Sequence, residues 1–417
     1  MDIKQIRKQF PVLNKKYLNK KLIYFDNACS LLKPRCMIEA VTYYYETLGS
    51  CAGGRSDHIL AQRTEELTDK ARDEIRGLIN ASFSDEIVWT KNATEGINLV
   101  ASSLPFIKSK NEVIVFNIEH HSNLLPFYEA QIKRGIRLKI LKVRRDGGID
   151  LDKLNKAVTE KTALLSFAHS SNVLSVTQMV KEIAKIAHSK GAYILVDDAQ
   201  YIATHKEDVK KNDIDFLVFS GHKLGGPTGI GVLYGKRKLL KKLLPHHTGG
   251  GTIERVELKI NGKLKVKYLP APKGFEAGIQ HYAGIIGLAK AANFIKDIGY
   301  EKISSRVSSL TKYLFLKLKD IEGIKILGDY KNPPDGSLLS FYFKRKGISL
   351  YDFNIFLNQQ VKEYSILLRC GHHCALPIHQ YFHQPLSMRL SFFAYNTNEE
   401  IDVFLRVLDR YLRSLPR

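Results

Sequence analysis

No apolar run in this 417-residue chain approaches the roughly 18–20 residues that a membrane span requires. The N-terminus also lacks the apolar core of a secretory signal. Internal repeats and low-complexity tracts are missing too, so the chain reads as globular, with no membrane partner. Cysteine is scarce. The five, at 29, 36, 51, 370 and 374, are odd in number and show no disulfide-framework spacing, which points to a reducing cytoplasm. Acid is in deficit: 42 Asp+Glu against 64 Lys+Arg give a net charge of +22. Such a charge suits nucleic acid or an acidic partner, but here the excess is mostly Lys, spread along the chain without interleaved aromatics. A solvated basic surface is the preferred reading, and nucleic acid is not an expected partner. The densest cluster, Lys236-Arg-Lys-Leu-Leu-Lys-Lys242, reads as the outer face of a helix.

What is present suffices for a large core: 44% of residues are hydrophobic, and the length suggests two or three domains. Residues 2–21 are Lys-rich with a single acid, a pattern shared by transit peptides and amphipathic helices. The helix is preferred, because regular patterning begins at Ile23-Tyr-Phe-Asp26. From about 85 to 235 short apolar segments alternate with helical spacing: 86–90, 112–116, 138–143, 163–167, 193–196, 216–219 and 231–234. Val180, Ile183, Ala184 and Ala187 share one helical face. That alternation implies an α/β unit with a mainly parallel sheet covered on both sides, whose ligands lie beyond the carboxyl ends of the strands. Residues 245–275, rich in Gly, Pro and Lys, are expected as a long loop, followed by a helix at about 281–297. Strands at 338–343, 365–369 and 388–393 and a final helix capped by Thr397 and Glu400 suggest a smaller α+β domain. The division expected is 1–22, an N-terminal helical segment against the small domain; 23–297, the large domain; and 298–417, the small C-terminal domain.

Lys223 ends the run Asp215-Phe-Leu-Val-Phe-Ser220-Gly221-His222-Lys223, and Asp197 closes an apolar strand 26 residues earlier. A Lys able to form a Schiff base, together with an acid for a pyridinium nitrogen, is what pyridoxal 5'-phosphate (PLP) asks of a protein. An exposed Lys alone would be a surface charge; here Gly225-Gly-Pro-Thr-Gly229 follows it and lets backbone approach a ligand. Asp197 would be costly to bury without a partner, whereas Asp198 reads as a cap or a hydrogen-bonded loop acid. Gln200 has a donor for a ring hydroxyl. Thr94 opens a helix after a strand, which makes a plain N-cap or, with Ser220 and His222, an anion site. His120 follows strand 112–116 and is placed to stack on a flat cofactor and to move protons. Cys374 lies in Arg369-Cys-Gly-His-His-Cys-Ala375. Four metal ligands within five residues would strain one tetrahedral ion, so a nucleophilic thiol is preferred and no metal is expected. Arg389 and Arg369 are candidates for holding a substrate carboxylate, Arg389 bidentately.

Taken together, Tyr24-Phe-Asp-Asn-Ala28, Ala93-Thr-Glu-Gly-Ile-Asn-Leu-Val-Ala101, Glu119-His-His121, Ser171-Asn-Val-Leu174, Val196-Asp-Asp-Ala-Gln200, Ser220-Gly-His-Lys223 and Arg369–Ala375 resemble the Suf-type (group II) cysteine desulfurases, class V enzymes of PLP fold type I. The resemblance runs from about residue 20 to 410. It implies a homodimer that converts L-cysteine to L-alanine, leaves a persulfide on Cys374 and supplies a sulfur-acceptor protein in iron–sulfur cluster assembly or other sulfur transfer. It further implies that Lys223 links to PLP, His120 stacks on it, Asp197 and Gln200 tune its ring, and Thr94, Ser220 and His222 hold its phosphate. Asn172 would lie beside the bound amino acid, and Arg389 would hold its carboxylate.

Four departures stand out. Ile279 replaces a Thr that in the family reaches the partner's phosphate, and Gly54-Arg55-Ser56 stands where His-Arg-Gly is common. Cys29 and Cys370 stand where small non-thiol residues are usual; Cys370 reads either as a buried small side chain or as a thiol that takes sulfur from Cys374 or bonds to it. The alternatives carried are a selenocysteine lyase, another class V lyase or aminotransferase and, from a different class, a non-catalytic basic scaffold. A transaminase has no use for a thiol at 374.

Overall fold

The computed structural model describes residues 2–52, 56–344, 348–359 and 361–415. Seven strands form the main sheet, in the spatial order Ile87–Thr90, Gly231–Gly235, Phe216–Ser220, Tyr193–Asp197, Thr162–Ala168, Glu112–Phe116 and Arg137–Leu141. Gly231–Gly235 runs antiparallel to both of its neighbours, and the other pairings in the sheet are parallel. The inner strands are apolar on both faces because helices cover both. Ile114, Phe116, Leu165, Phe167 and Ile194 enter one core, and the alternating Val113, Val115, Leu164, Leu195 and Val218 enter the other. Arg137–Leu141 lies at an edge and is half-buried to exposed, its Arg and Lys in keeping with that place.

The covering helices follow the sequence pattern. Val180–Ser189 buries Val180, Ile183, Ala184 and Ala187, the face that their spacing selects. Ala93–Ser103 lies close on the sheet because Gly96 has no side chain; a Cβ there would stand 2.7 Å from Val218 Cγ1. The helix Tyr282–Ile298 is buried almost all round.

A second sheet, of four antiparallel strands, has the order Ile324–Ile326, Leu338–Phe343, Ser387–Ser391, Arg369–Gly371. Tyr300–Leu318 and Asn398–Ser414 pack on it, the latter opened by the Thr397/Glu400 capping box. The N-terminal helix, Ile3–Lys8, is a single short element, and the strand Lys20–Tyr24 pairs in parallel with Tyr364–Leu367. Phe10 wedges among Phe294, Phe393 and Tyr395, and Arg7 pairs with Glu400 at 2.7 Å, so this segment ties both units together.

Three expectations need correction. Residues 245–275 are not all loop: Ile253–Leu258 and Leu264–Tyr268 form an antiparallel hairpin. Asn261-Gly262 turns it, with Gly262 at φ +76°, a left-handed value natural to glycine. Residues 365–369 do not make one strand. Tyr364–Leu367 joins the N-terminal strand while Arg369–Gly371 joins the small sheet, so the chain changes partners at Leu368. The basic run 236–242 holds only the short helix Arg237–Leu240, whose two leucines are buried. Gly54 and Arg55 lie outside the described residues.

Candidate active site

The carboxyl ends of the parallel strands open into a cleft of about 250 Å³. Ten residues singled out from the sequence line it: Thr94, His120, Asn172, Asp197, Gln200, Ser220, His222, Lys223, Arg369 and Arg389, and Cys374 reaches it from the small sheet's side. Cys29 lines it as well. The topology explains the convergence. Asp197 and Ser220 end their strands, Lys223 closes the turn Gly221–Lys223, and Thr94 is the second residue of the helix Ala93–Ser103 that follows Ile87–Thr90.

Asp197 is buried, and its Oδ1 accepts from Ala199 N at 3.0 Å. Burial raises its pKa, against the attraction of Lys223 and that hydrogen bond. Lys223 is shifted the other way: burial lowers its pKa, and Asp197 opposes the shift. A deep carboxylate with little local compensation has capacity left for a cationic ring nitrogen. His120 Nδ1 accepts from Ser122 N at 3.1 Å, which leaves the proton of the neutral ring on Nε2. Burial, then Lys223, holds its pKa down to about 3, so the ring is an uncharged plate at neutral pH.

Hydroxyls gather at the helix start. Ser220 Oγ accepts from Ala93 N at 2.9 Å, and Thr94 Oγ1 donates to Ser122 Oγ at 2.8 Å. Asn92 caps the helix by accepting from Glu95 N. Gly231 is obligatory here, because a Cβ would lie 2.6 Å from Asn92 Cα. His222 is kept neutral by burial, then by Lys223 and Lys33, with its pKa near 4. Gln200 Nε2 donates to Ala28 O at 2.8 Å, which fixes the amide beside the cleft and leaves its second N–H available.

The opposite wall is held by long-range bonds. Arg389, 2% exposed, donates through Nη1 to Asn172 O at 2.8 Å and through Nη2 to Asp26 Oδ1 at 3.1 Å. Its buried Nε has no acceptor among the described residues. Arg369 Nη1 meets Cys29 Sγ at 2.7 Å, so in this structure its contact is a thiol. Asn172 Nδ2 donates to His373 O at 2.7 Å, and His121 N donates to Cys374 O at 2.7 Å. These two bonds fix a turn in which His373 and Cys374 both have left-handed φ, +52° and +55°. Cys374 N in turn donates to His372 Nδ1.

Residues that the sequence did not single out complete the site. Asp26 orients Arg389, Ser122 bridges Thr94 and His120, and Lys33 donates to His222 O at 2.9 Å. Burial lowers the pKa of Lys33 to about 8. Asp198 turns away from the cleft to His169, whose Nδ1 lies 2.9 Å from Asp198 Oδ1 and 2.8 Å from Glu207 Oε2. Burial works against charge on that ring, but the two carboxylates prevail and raise its pKa to about 9. Among the described residues this trio, not Cys370–Cys374, is where ligand atoms lie close enough to share an ion. His169 N also donates to Asp197 O at 2.9 Å, so the trio braces the strand end from behind.

The donor set suits PLP: an amine deep in a cleft, an under-compensated acid, hydroxyls and a neutral imidazole at a helix start, and a second neutral imidazole able to cover a ring. An aminotransferase class-V profile matches residues 23–404. A cysteine desulfurase of Wigglesworthia glossinidia brevipalpis is 37% identical over 100% of this chain and 98% of its own. A crystallised cysteine desulfurase from Escherichia coli, in its S-sulfonic acid form, superposes with a TM-score of 0.88 at 33% identity over 100% of both chains. The apo enzyme of Thermococcus onnurineus NA1 gives 0.89 at 34% identity over 99% and 98%. With profile, full-length relatives and solved structures in agreement, the chain belongs to the class-V aminotransferase family, among its PLP-dependent cysteine desulfurases.

Proposed function

We propose that this cysteine desulfurase works through Lys223 and Cys374, by the balance L-cysteine + Cys374–SH → L-alanine + Cys374–S–SH. One observation carries the reading: an amine, a buried acid and a thiol from the turn after Arg369–Gly371 line the same cleft.

Bound PLP supplies an electron sink that makes the bonds around the substrate's α-carbon labile. The residues that would hold it are Lys223 at its aldehyde, Asp197 at the ring nitrogen, Gln200 at the ring hydroxyl, His120 over the ring, and Thr94, Ser220 and His222 at the phosphate. The lowered pKa of Lys223 fits a group that moves a proton at the substrate's α-carbon. Arg389 holds the substrate carboxylate, using the Nε that has no acceptor among the described residues, with Asn172 alongside and Arg369 as second cation. Cys374 Sγ attacks the substrate sulfur; the carbon–sulfur bond breaks, and the β-carbon takes a proton to become the methyl group of alanine.

The turn that carries Cys374 is half-buried and lies at the cleft, a place from which a protein thiol could collect the sulfur for cluster assembly or other transfer. Five cysteines without a disulfide support work in a reducing cytoplasm. A homodimer is supported by the hairpin Ile253–Tyr268, whose Leu258, Ile260 and Leu264 are 74%, 110% and 65% exposed. The reading is tested by giving the holoenzyme L-cysteine and measuring alanine together with peptide masses. One cysteine-bound sulfur per alanine in the first turnover is expected, and none in Cys374→Ala; alanine without sulfur on any cysteine would refute it.

A further inference from the structure

The cleft holds two thiols in different settings. Arg369 Nη1 contacts Cys29 Sγ at 2.7 Å, and Arg389, which lines the same cleft, has a buried Nε without an acceptor among the described residues. Cys374 Sγ receives no hydrogen bond among the described residues; its turn is held through backbone N and O instead. Cys370 is not among the residues lining the cleft, and burial pushes its thiol up to about 11, so it stays protonated. Among the described residues, Cys29 is thus the cleft thiol whose sulfur has a guanidinium partner.

We propose that Cys29 is a second sulfur-bearing residue, to which the terminal sulfur of the Cys374 persulfide passes within the cleft. The step rests on the reading of Cys374 as first acceptor. The Cys29 thiolate attacks the outer sulfur of Cys374–S–SH. A new sulfur–sulfur bond forms, the old one breaks, and Cys374 departs as a thiolate that takes up the proton Cys29 released. The products are Cys29–S–SH and Cys374–SH, with no net oxidation or reduction. Arg369 gives the step its direction: its guanidinium already contacts Cys29 Sγ and donates to the sulfur at its new place. Cys374 is thereby freed to accept a second sulfur before the first has left the protein. The purpose of Cys29 in the cleft is storage.

Thiol-free holoenzyme is mixed with L-cysteine, quenched within the first turnovers and alkylated, and alanine and peptide masses are measured. The wild type should release a burst approaching two alanines per site and carry one extra sulfur on each of the Cys29 and Cys374 peptides. Cys29→Ala and Cys29→Ser should halve the burst, with sulfur on Cys374 alone. Arg369→Gln should shift the sulfur from Cys29 back toward Cys374, whatever happens to the rate. A wild-type burst of one alanine with sulfur confined to Cys374, or a second sulfur on Cys370, would overturn the proposal while leaving Cys374 as first acceptor. Alanine released from Cys29→Ala with no sulfur on Cys374 would overturn that reading, and this step with it.

Discussion

The two walls of the cleft hold their side chains by different means. On the sheet side, Asp197, Ser220 and Lys223 project from strand ends or the turn just beyond, and the buried strands beneath leave them little freedom. On the other side, His373 and Cys374 sit in a short turn with left-handed backbone, a conformation that costs on the order of 1 kcal/mol per non-glycine residue. That turn is fastened by donors from across the cleft, Asn172 Nδ2 and His121 N. The sheet wall is held by its own packing, whereas the thiol turn depends more on a few hydrogen bonds. A cofactor needs the first kind of support. A thiol that must reach a substrate and then a sulfur acceptor is better served by the second, because a few bonds set its position.

Substitutions can separate the walls. Lys223→Ala should have the largest effect, removing the cofactor's visible absorbance and bringing cysteine turnover to background. Asp197→Asn should come next. A unit charge facing a ring cation at about 4 Å is worth about 4 kcal/mol at an effective dielectric near 20, so kcat should fall roughly 100- to 1000-fold with the protein still folded. Asn172→Ala strikes the attachment itself. Leaving His373 O without its donor costs about 1–3 kcal/mol, which predicts roughly a 10-fold drop in sulfur loading of Cys374 with absorbance retained. A loss of absorbance in that variant would show that the walls are not separable.

The brace behind Asp197 gives a smaller effect, visible in pH. His169 has a folded pKa of about 9 against an ordinary 6.5. Its contribution to stability is fully present below 6.5 and is lost as pH rises through 9. The thermal midpoint should fall across that window, and His169→Gln should flatten the fall. The smallest effect expected comes from Thr397→Ala, which removes a cap outside the cleft: about 1 kcal/mol of stability, read by denaturant unfolding, with kcat unchanged.

Much of the sheet wall is legible in the sequence because each of its groups is local. An apolar run followed by an acid, or by Ser-Gly-His-Lys, places its polar end at the edge of a buried sheet. Asp26, Ser122, Lys33 and Glu207 are not legible in that way; each matters through a partner distant in sequence, such as Arg389 for Asp26. The contact between Arg369 and Cys29 is of the same kind. The hairpin at 253–268 is a different case. Alternating Val256, Leu258, Leu264 and Val266 around Asn261-Gly262 is a legible hairpin pattern, but the Gly and Pro flanks and the many lysines give the segment the composition of a loop. Both of its faces are largely exposed, so no burial pattern marks it.

The division of labour between the walls is tested most directly by Cys374→Ser, assayed for alanine from L-cysteine alongside the cofactor's absorbance. The account predicts wild-type absorbance and almost no alanine, since the sheet wall is intact while the sulfur has nowhere to go. Alanine at the wild-type rate would contradict it.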